Sequence, residues 1–190
     1  MPRLILIKHS LPEINPSIPA HLWQLSFEGH LRCKPLAEKL AAYAPDIITT
    51  STEIKAIQTA LRVAENLDLP YEIVDNLHEH DRRNMAFESQ DKFEARVADF
   101  FARPGELVFG LETADAAYQR FAQAVEGVIH QHVDSNVAIV AHGTVITLFL
   151  QQRTQLPTTP FLFWKKLGLP SFVVLSLPEF GLMDIAETVI

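Results

Sequence analysis

Leu4-Ile5-Leu6-Ile7 is an unbroken apolar run with β-branched members, the pattern of a strand buried on both faces, and it stops at the polar triplet Lys8-His9-Ser10. Leu11 to Pro19 then holds three prolines and Asn15, which rules out helix or inner strand and predicts an ordered loop. From Leu31 to Tyr43 the spacing of Leu36 and Leu40 among alanines predicts a helix that Pro35 either begins or kinks. Asp46–Thr50 reads as a second strand, with Ser51 or Thr52 as the cap of a helix in which Ile54, Ile57, Leu61 and Ala64 share a face. Tyr71–Val74 suits a third strand, and a polar stretch from His78 to Asn84 separates it from helical patterns over Gln90–Ala102 and Thr113–Val133. Asn136–Ala141 is another apolar strand, halted by His142-Gly143 and followed by a helix through about Gln152. Ser171–Leu177 and Leu182–Ile185, divided by Pro-Glu-Phe-Gly, suit a closing pair of strands.

Strands that alternate with helices predict an α/β fold: a three-layer α/β/α sandwich around a mainly parallel central sheet. Ligands of such sheets bind at the carboxyl ends of the strands. His9 and His142 both stand at strand ends, so a parallel arrangement brings them to one rim despite their separation in sequence. With 190 residues and no repeat or linker, residues 1–190 are expected to form a single domain.

Composition adds three constraints. Hydrophobic residues make up 48% of the chain and charged residues 21%, enough apolar surface for a core without metal or disulfide support. Cys33 is the sole cysteine, which excludes an intrachain disulfide and the thiol sets of zinc or iron–sulfur sites, and fits a small, partly buried side chain in a reducing compartment. The opening apolar run is too short for a signal peptide or a membrane span, so a soluble, cytoplasmic protein without a membrane partner is expected. A formal charge of −7 argues against nucleic acid as a partner and requires any anion site to gather its positive charge locally.

Four elements occur in an order that resembles the histidine phosphatase superfamily, the phosphoglycerate mutase-like proteins. The family's first strand ends in Arg-His-Gly, often with an asparagine five places after the glycine; here it ends in Lys8-His9-Ser10, with Asn15 at that spacing. The family's Ser-Pro-x-x-Arg-Ala-x-Gln-Thr-Ala stretch is matched by Ser51-Thr52-Glu53-Ile54-Lys55-Ala56-Ile57-Gln58-Thr59-Ala60. A Leu-x-Glu after the next strand matches Leu77-His78-Glu79, and the late His-Gly matches His142-Gly143. The segment from Phe163-Trp164 to Pro170-Ser171 is similar to the one that leads into the family's last strand, so the likeness runs from Leu4 to about Leu177.

The resemblance implies a phosphatase that hydrolyses a phosphomonoester through a phosphohistidine on His9, with no metal and no organic cofactor. Glu79 would be the general acid for the leaving oxygen and then the general base for water, and His142 would complete the catalytic set. Lys8, Lys55 and His142 would clamp the phosphate, with Ser10, Asn15 and Gly143 beside it as further phosphate-binding positions. The cations at Lys8 and Lys55 would lower the His9 pKa and keep its lone pair available. Two planar arginine forks are here two lysine point charges, so charge is kept while bidentate geometry is loosened. Ser10 also adds a side chain where the family has glycine.

The substrate so implied is a small phosphorylated molecule or a phosphorylated protein. A noncatalytic module that binds a phosphorylated ligand is the main rival, favoured by Lys8, Ser10 and Lys55. A mutase is disfavoured because only 62 residues separate Glu79 from His142, little room for a lid that excludes water. His78-Glu79-His80-Asp81 raises a metallohydrolase reading, although no His-Glu-x-x-His helix accompanies it. Arg82 and Arg83 could meet a second acidic group on a substrate.

Overall fold

The computed structural model describes all 190 residues. Its framework is one six-stranded sheet in the order β3-β2-β4-β1-β5-β6, built from β1 (Arg3–Lys8), β2 (Ile47–Thr50), β3 (Tyr71–Ile73), β4 (Val137–Ala141), β5 (Ser171–Ser176) and β6 (Gly181–Ala186). The pairs β1/β4, β2/β4 and β2/β3 are parallel. β5 runs antiparallel to β1, and β6 antiparallel to β5. The closing pair is thus a hairpin at one edge of an otherwise parallel sheet.

Strand alternation divides the core in two. Leu4, Leu6, Val137, Ile139, Val173 and Leu175 point to one face, where α4 (Ala114–Gln131), α5 (Gly143–Arg153) and α6 (Pro160–Lys166) bury Phe121, Val125, Ile146, Phe149 and Phe163 against them. Ile5, Ile7, Ile48, Ala138, Val140 and Val174 point to the other, covered by Leu36 and Leu40 of α1 (Phe27–Leu40) and by Ala56, Ala60 and Val63 of α2 (Ile54–Leu67). Central strands that read as continuous apolar runs are those sandwiched on both sides. α3 (Gln90–Ala102) lies outside this frame and packs Val97 and Phe100 with Phe109, Ala117 and Leu148 in a satellite cluster.

Some boundaries differ from the sequence pattern. α1 begins at Phe27 rather than Leu31, because Ser26 caps it by accepting a hydrogen bond from the Gly29 amide, and Pro35 lies inside it. Its first turn lacks periodicity because Phe27 is exposed. The helix ends at Leu40, and Ala41–Tyr43 is a separate 3-10 turn. The cap of α2 is the backbone of Glu53, with neither Ser51 nor Thr52 in that role. α6 is a helix that the pattern left unassigned; Pro160 opens it and the Thr159 hydroxyl caps it.

Candidate active site

β1 and β4 are neighbours in register, Lys8 opposite Ala141, so the residues that follow them emerge together at the carboxyl rim. The His9 amide donates to the Ala141 carbonyl, and the rings of His9 and His142 lie edge to face with centroids 5.2 Å apart. The convergence expected from the two strand ends is therefore present.

His9 Nδ1 lies 2.8 Å from the carbonyl oxygen of Ser10. A carbonyl only accepts, so Nδ1 carries the proton and Nε2 keeps the lone pair. Burial holds the His9 pKa well below its ordinary value of 6.5, and the charges of Lys55 and, less strongly, Lys8 add to that. Burial likewise pushes His142 down to about 4, against the opposing pull of Glu53. Both imidazoles are neutral at neutral pH, and His142 Nδ1 is buried without a partner among the protein's own atoms.

Alternation along β1 sends its last two side chains to opposite sides. Lys8 goes toward α5 and α6, where Nζ donates to the Leu167 carbonyl at 2.6 Å, and burial lowers its pKa to about 8. A Cβ on Gly143 would lie 3.2 Å from Lys8 Cε and 3.3 Å from Trp164 Nε1, so glycine lets both close on the first turn of α5. Lys55, from the first turn of α2, is buried on the other side; its Nζ donates to the Ala20 carbonyl at 2.8 Å and pairs with Glu53.

Glu53 is the residue that the sequence did not single out. It is 8% exposed, accepts the Glu79 amide at 2.9 Å through Oε1, and holds that oxygen 3.6 Å from His142 Nε2. Burial would raise its carboxyl, but His142, Lys55 and the Glu79 amide pull it far below the usual carboxylate range. With His142 neutral at neutral pH, the attraction there comes from Lys55 and the amide. Ser51, which does not cap α2, instead places Oγ 2.7 Å from His142 Nε2 and accepts the Glu53 amide at 3.3 Å.

Glu79 sits over the start of α5, accepting the amides of Thr144 at 3.2 Å, Val145 at 3.3 Å and His80 at 2.9 Å. Burial alone would raise its pKa, yet the Arg82 charge and the His80 amide lower it, so Glu79 is a carboxylate. Arg120 of α4 fixes the segment by donating to the carbonyls of Asn76, His78 and Glu79 while paired with Glu112. Arg82 stacks over Phe93 at 4.5 Å, and its charge reaches both Glu79 and His142.

Two residues taken as phosphate donors are engaged elsewhere. The Ser10 hydroxyl donates to the Gly29 carbonyl at 2.7 Å, and its amide donates to Thr59 Oγ1 at 3.0 Å. Asn15 lies in an exposed loop, where its side-chain oxygen accepts the Ser17 amide and its carbonyl accepts Trp23 Nε1. The polar run after Glu79 also diverges: His80 is buried beside Phe100 and Phe109, while Asp81 pairs with Arg83. No three His, Cys, Asp or Glu side chains are grouped to hold a metal ion. Cys33 is buried against the Gly29 carbonyl.

The profile of the histidine phosphatase superfamily, branch 1, matches residues 5–177, which include every residue of this site. The chain belongs to that family. Comparison with curated proteins gives no match. Among solved structures, the chain is similar to mycobacterial glucosyl-3-phosphoglycerate phosphatase in complex with VO3, at 20% identity and a TM-score of 0.77 over 99% of this chain and 100% of that one. It is similar to Entamoeba histolytica phosphoserine phosphatase in complex with 3-phosphoglyceric acid, at 19% identity and 0.76 over 99% and 98%. It is also similar to Bacillus stearothermophilus YhfR, at 20% identity and 0.78 over 100% and 98%. At these identities the likeness to the three structures is one of fold.

Proposed function

We propose that the protein is a phosphatase that hydrolyses phosphomonoesters through a phosphohistidine on Nε2 of His9. The observation that carries this reading is the Nδ1–H contact to the Ser10 carbonyl, which aims an unprotonated, neutral nitrogen into a site flanked by Lys55, His142 and the amino end of α5. Nε2 attacks phosphorus, the P–O ester bond breaks, and the departing alcohol takes a proton from Glu79. Water then attacks the phosphohistidine, the P–N bond breaks, Glu79 recovers a proton from that water, and the lone pair returns to Nε2. Glu79 starts as a carboxylate, and the approach of a phosphate dianion raises its proton affinity by like-charge repulsion, so Glu79 takes up the proton it needs from solvent as the substrate binds. Lys55 and Lys8 offset the charge on the transferring group, and His142 places a neutral imidazole beside it.

The test is a quench at alkaline pH with labelled ester. Wild type is expected to retain label that acid releases, and His9→Ala to retain none; label surviving in His9→Ala removes the assignment. One observation favours binding without turnover: Lys55 is already committed to Glu53, and Lys8 to a backbone carbonyl. Under that reading a phosphorylated ligand binds while no label and no product appear.

A further inference from the structure

Beside the candidate site opens a cavity of about 640 Å³, whose lining includes Glu53, Lys55 and Glu79. A phosphoryl group fills a small part of that space; pockets of 300–1,000 Å³ are the size that takes a whole drug-like ligand. What surrounds the remainder is therefore informative. One wall comes from the proline-rich loop, with Ile18, Leu22 and Trp23, and the other from the 81–93 segment, with Met85, Phe87 and Phe93. The walls meet where the Trp23 and Phe87 rings stand 6.3 Å apart.

Several of these apolar side chains are open to water: Ile18 is 40%, Leu22 42% and Phe87 53% exposed. The loop that presents Ile18 and Leu22 is tied down at both ends. Glu13 donates its amide to the Gln24 carbonyl, Pro12 bridges Leu25, and the Leu25 amide donates to Gln58 Oε1 of α2. Trp23 Nε1 donates to the carbonyls of Asn15 and Ile18, which fixes the indole in the cavity lining. Of the charged groups in the lining, Arg83 is paired to Asp81 and Glu88 to Arg96, while Arg82 lies over the Phe93 ring. A small polar alcohol such as serine or glycerate would leave this apolar surface wet, whereas an apolar chain or ring would cover it.

We infer, building on the phosphatase reading above, that the ligands are phosphomonoesters of apolar alcohols, the phosphate held at His9, Lys55 and His142 and the hydrocarbon between the Trp23 and Phe87 walls. The proline-rich loop is thereby assigned to specificity.

Straight-chain alkyl phosphates from ethyl to octyl test it, because the leaving group stays chemically constant while the buried hydrocarbon grows. Calorimetry on His9→Ala is expected to show Kd tightening roughly three- to fourfold per methylene until the cavity is filled, the factor expected for burial of one CH₂. Phe87→Ala and Trp23→Ala, made in the same background, are expected to flatten that dependence. A Kd that does not fall with chain length, or no measurable binding of the octyl ester, overturns the inference. Wild-type turnover of the same series is read separately. Chain-length-dependent binding without hydrolysis would end the phosphatase reading and leave the ligand class standing, while hydrolysis that ignores chain length would do the reverse.

Discussion

At the scale of single residues, the site contains its own competitor for phosphate. The Glu53 carboxylate is an anion held by Lys55, by the Glu79 amide and beside His142, the kinds of partner a phosphate oxygen would seek. Any dianion that reaches Lys55 must share it with Glu53 or displace that carboxylate, and like charge makes sharing costly. Glu53→Gln keeps the shape and removes the charge. It is expected to tighten the binding of inorganic phosphate about tenfold, a difference of about 1.4 kcal/mol, measured by calorimetry or by product inhibition. Unchanged affinity would mean that Glu53 swings clear at no cost. His9, Lys55, Glu79 and His142 were legible because each occupies a fixed place in an ordered pattern of motifs. Glu53 was hidden at an unspecified position of the same stretch, and nothing in its immediate neighbours marks it as buried. Ser10 comes from its place beside His9 in the motif and Asn15 from spacing, and neither says that the Ser10 hydroxyl would find the Gly29 carbonyl first.

Among the elements, the close approach of α1 to the loop after His9 explains both a boundary and a glycine. A Cβ built on Gly29 would stand 2.0 Å from the Leu11 carbonyl oxygen, a backbone atom that cannot turn aside, and the Gly29 carbonyl accepts the Ser10 hydroxyl. Gly29→Ala is therefore expected to destabilise the fold by about 1–3 kcal/mol and to displace the backbone beside His9. Gly127, inside α4, would meet nothing beyond its own helix within 4 Å of such a Cβ, so Gly127→Ala is expected to stabilise by about 0.5–1 kcal/mol through helix propensity alone. Urea unfolding of the two variants, one substitution with opposite signs, checks the packing. Equal effects would mean that α1 does not press on the loop. Periodicity found the strands and the long helices because their buried faces repeat. It missed the first turn of α1 because that turn is fixed by the Ser26 cap and by contact with Leu11, and it left α6 unassigned because that helix is only seven residues long.

For the molecule as a whole, folding makes several histidines neutral at once, and that couples stability to pH. The sheet order was the part least accessible from sequence, since periodicity gives strands without neighbours; only the order puts β4 beside β1 and buries His142 next to His9. His9, His142, His78 and His80 all have pKa values lowered from 6.5, in each case chiefly by burial, with His142 at about 4. The unfolded chain binds a proton at each as pH drops below about 6.5, while the folded chain does not, so the contribution is complete above that pH and is lost as pH falls toward the folded values. The lowered carboxylates Glu53 and Glu79 act in a different window, since the unfolded chain takes up their protons only near and below 4.5. Lys8 matters only above about 8, where its folded pKa lies. Between pH 6.5 and 4.5 the histidines therefore set the slope. Unfolding free energy is expected to decline across that interval, and His142→Gln, whatever its own intercept, is expected to decline less steeply because one proton-binding difference is gone. Denaturant titrations at pH 7.5, 6.5, 5.5 and 4.8 give both slopes. Parallel slopes would show that His142 takes up its proton as readily in the fold as in the unfolded chain, which its complete burial beside His9 does not allow without relief from Glu53.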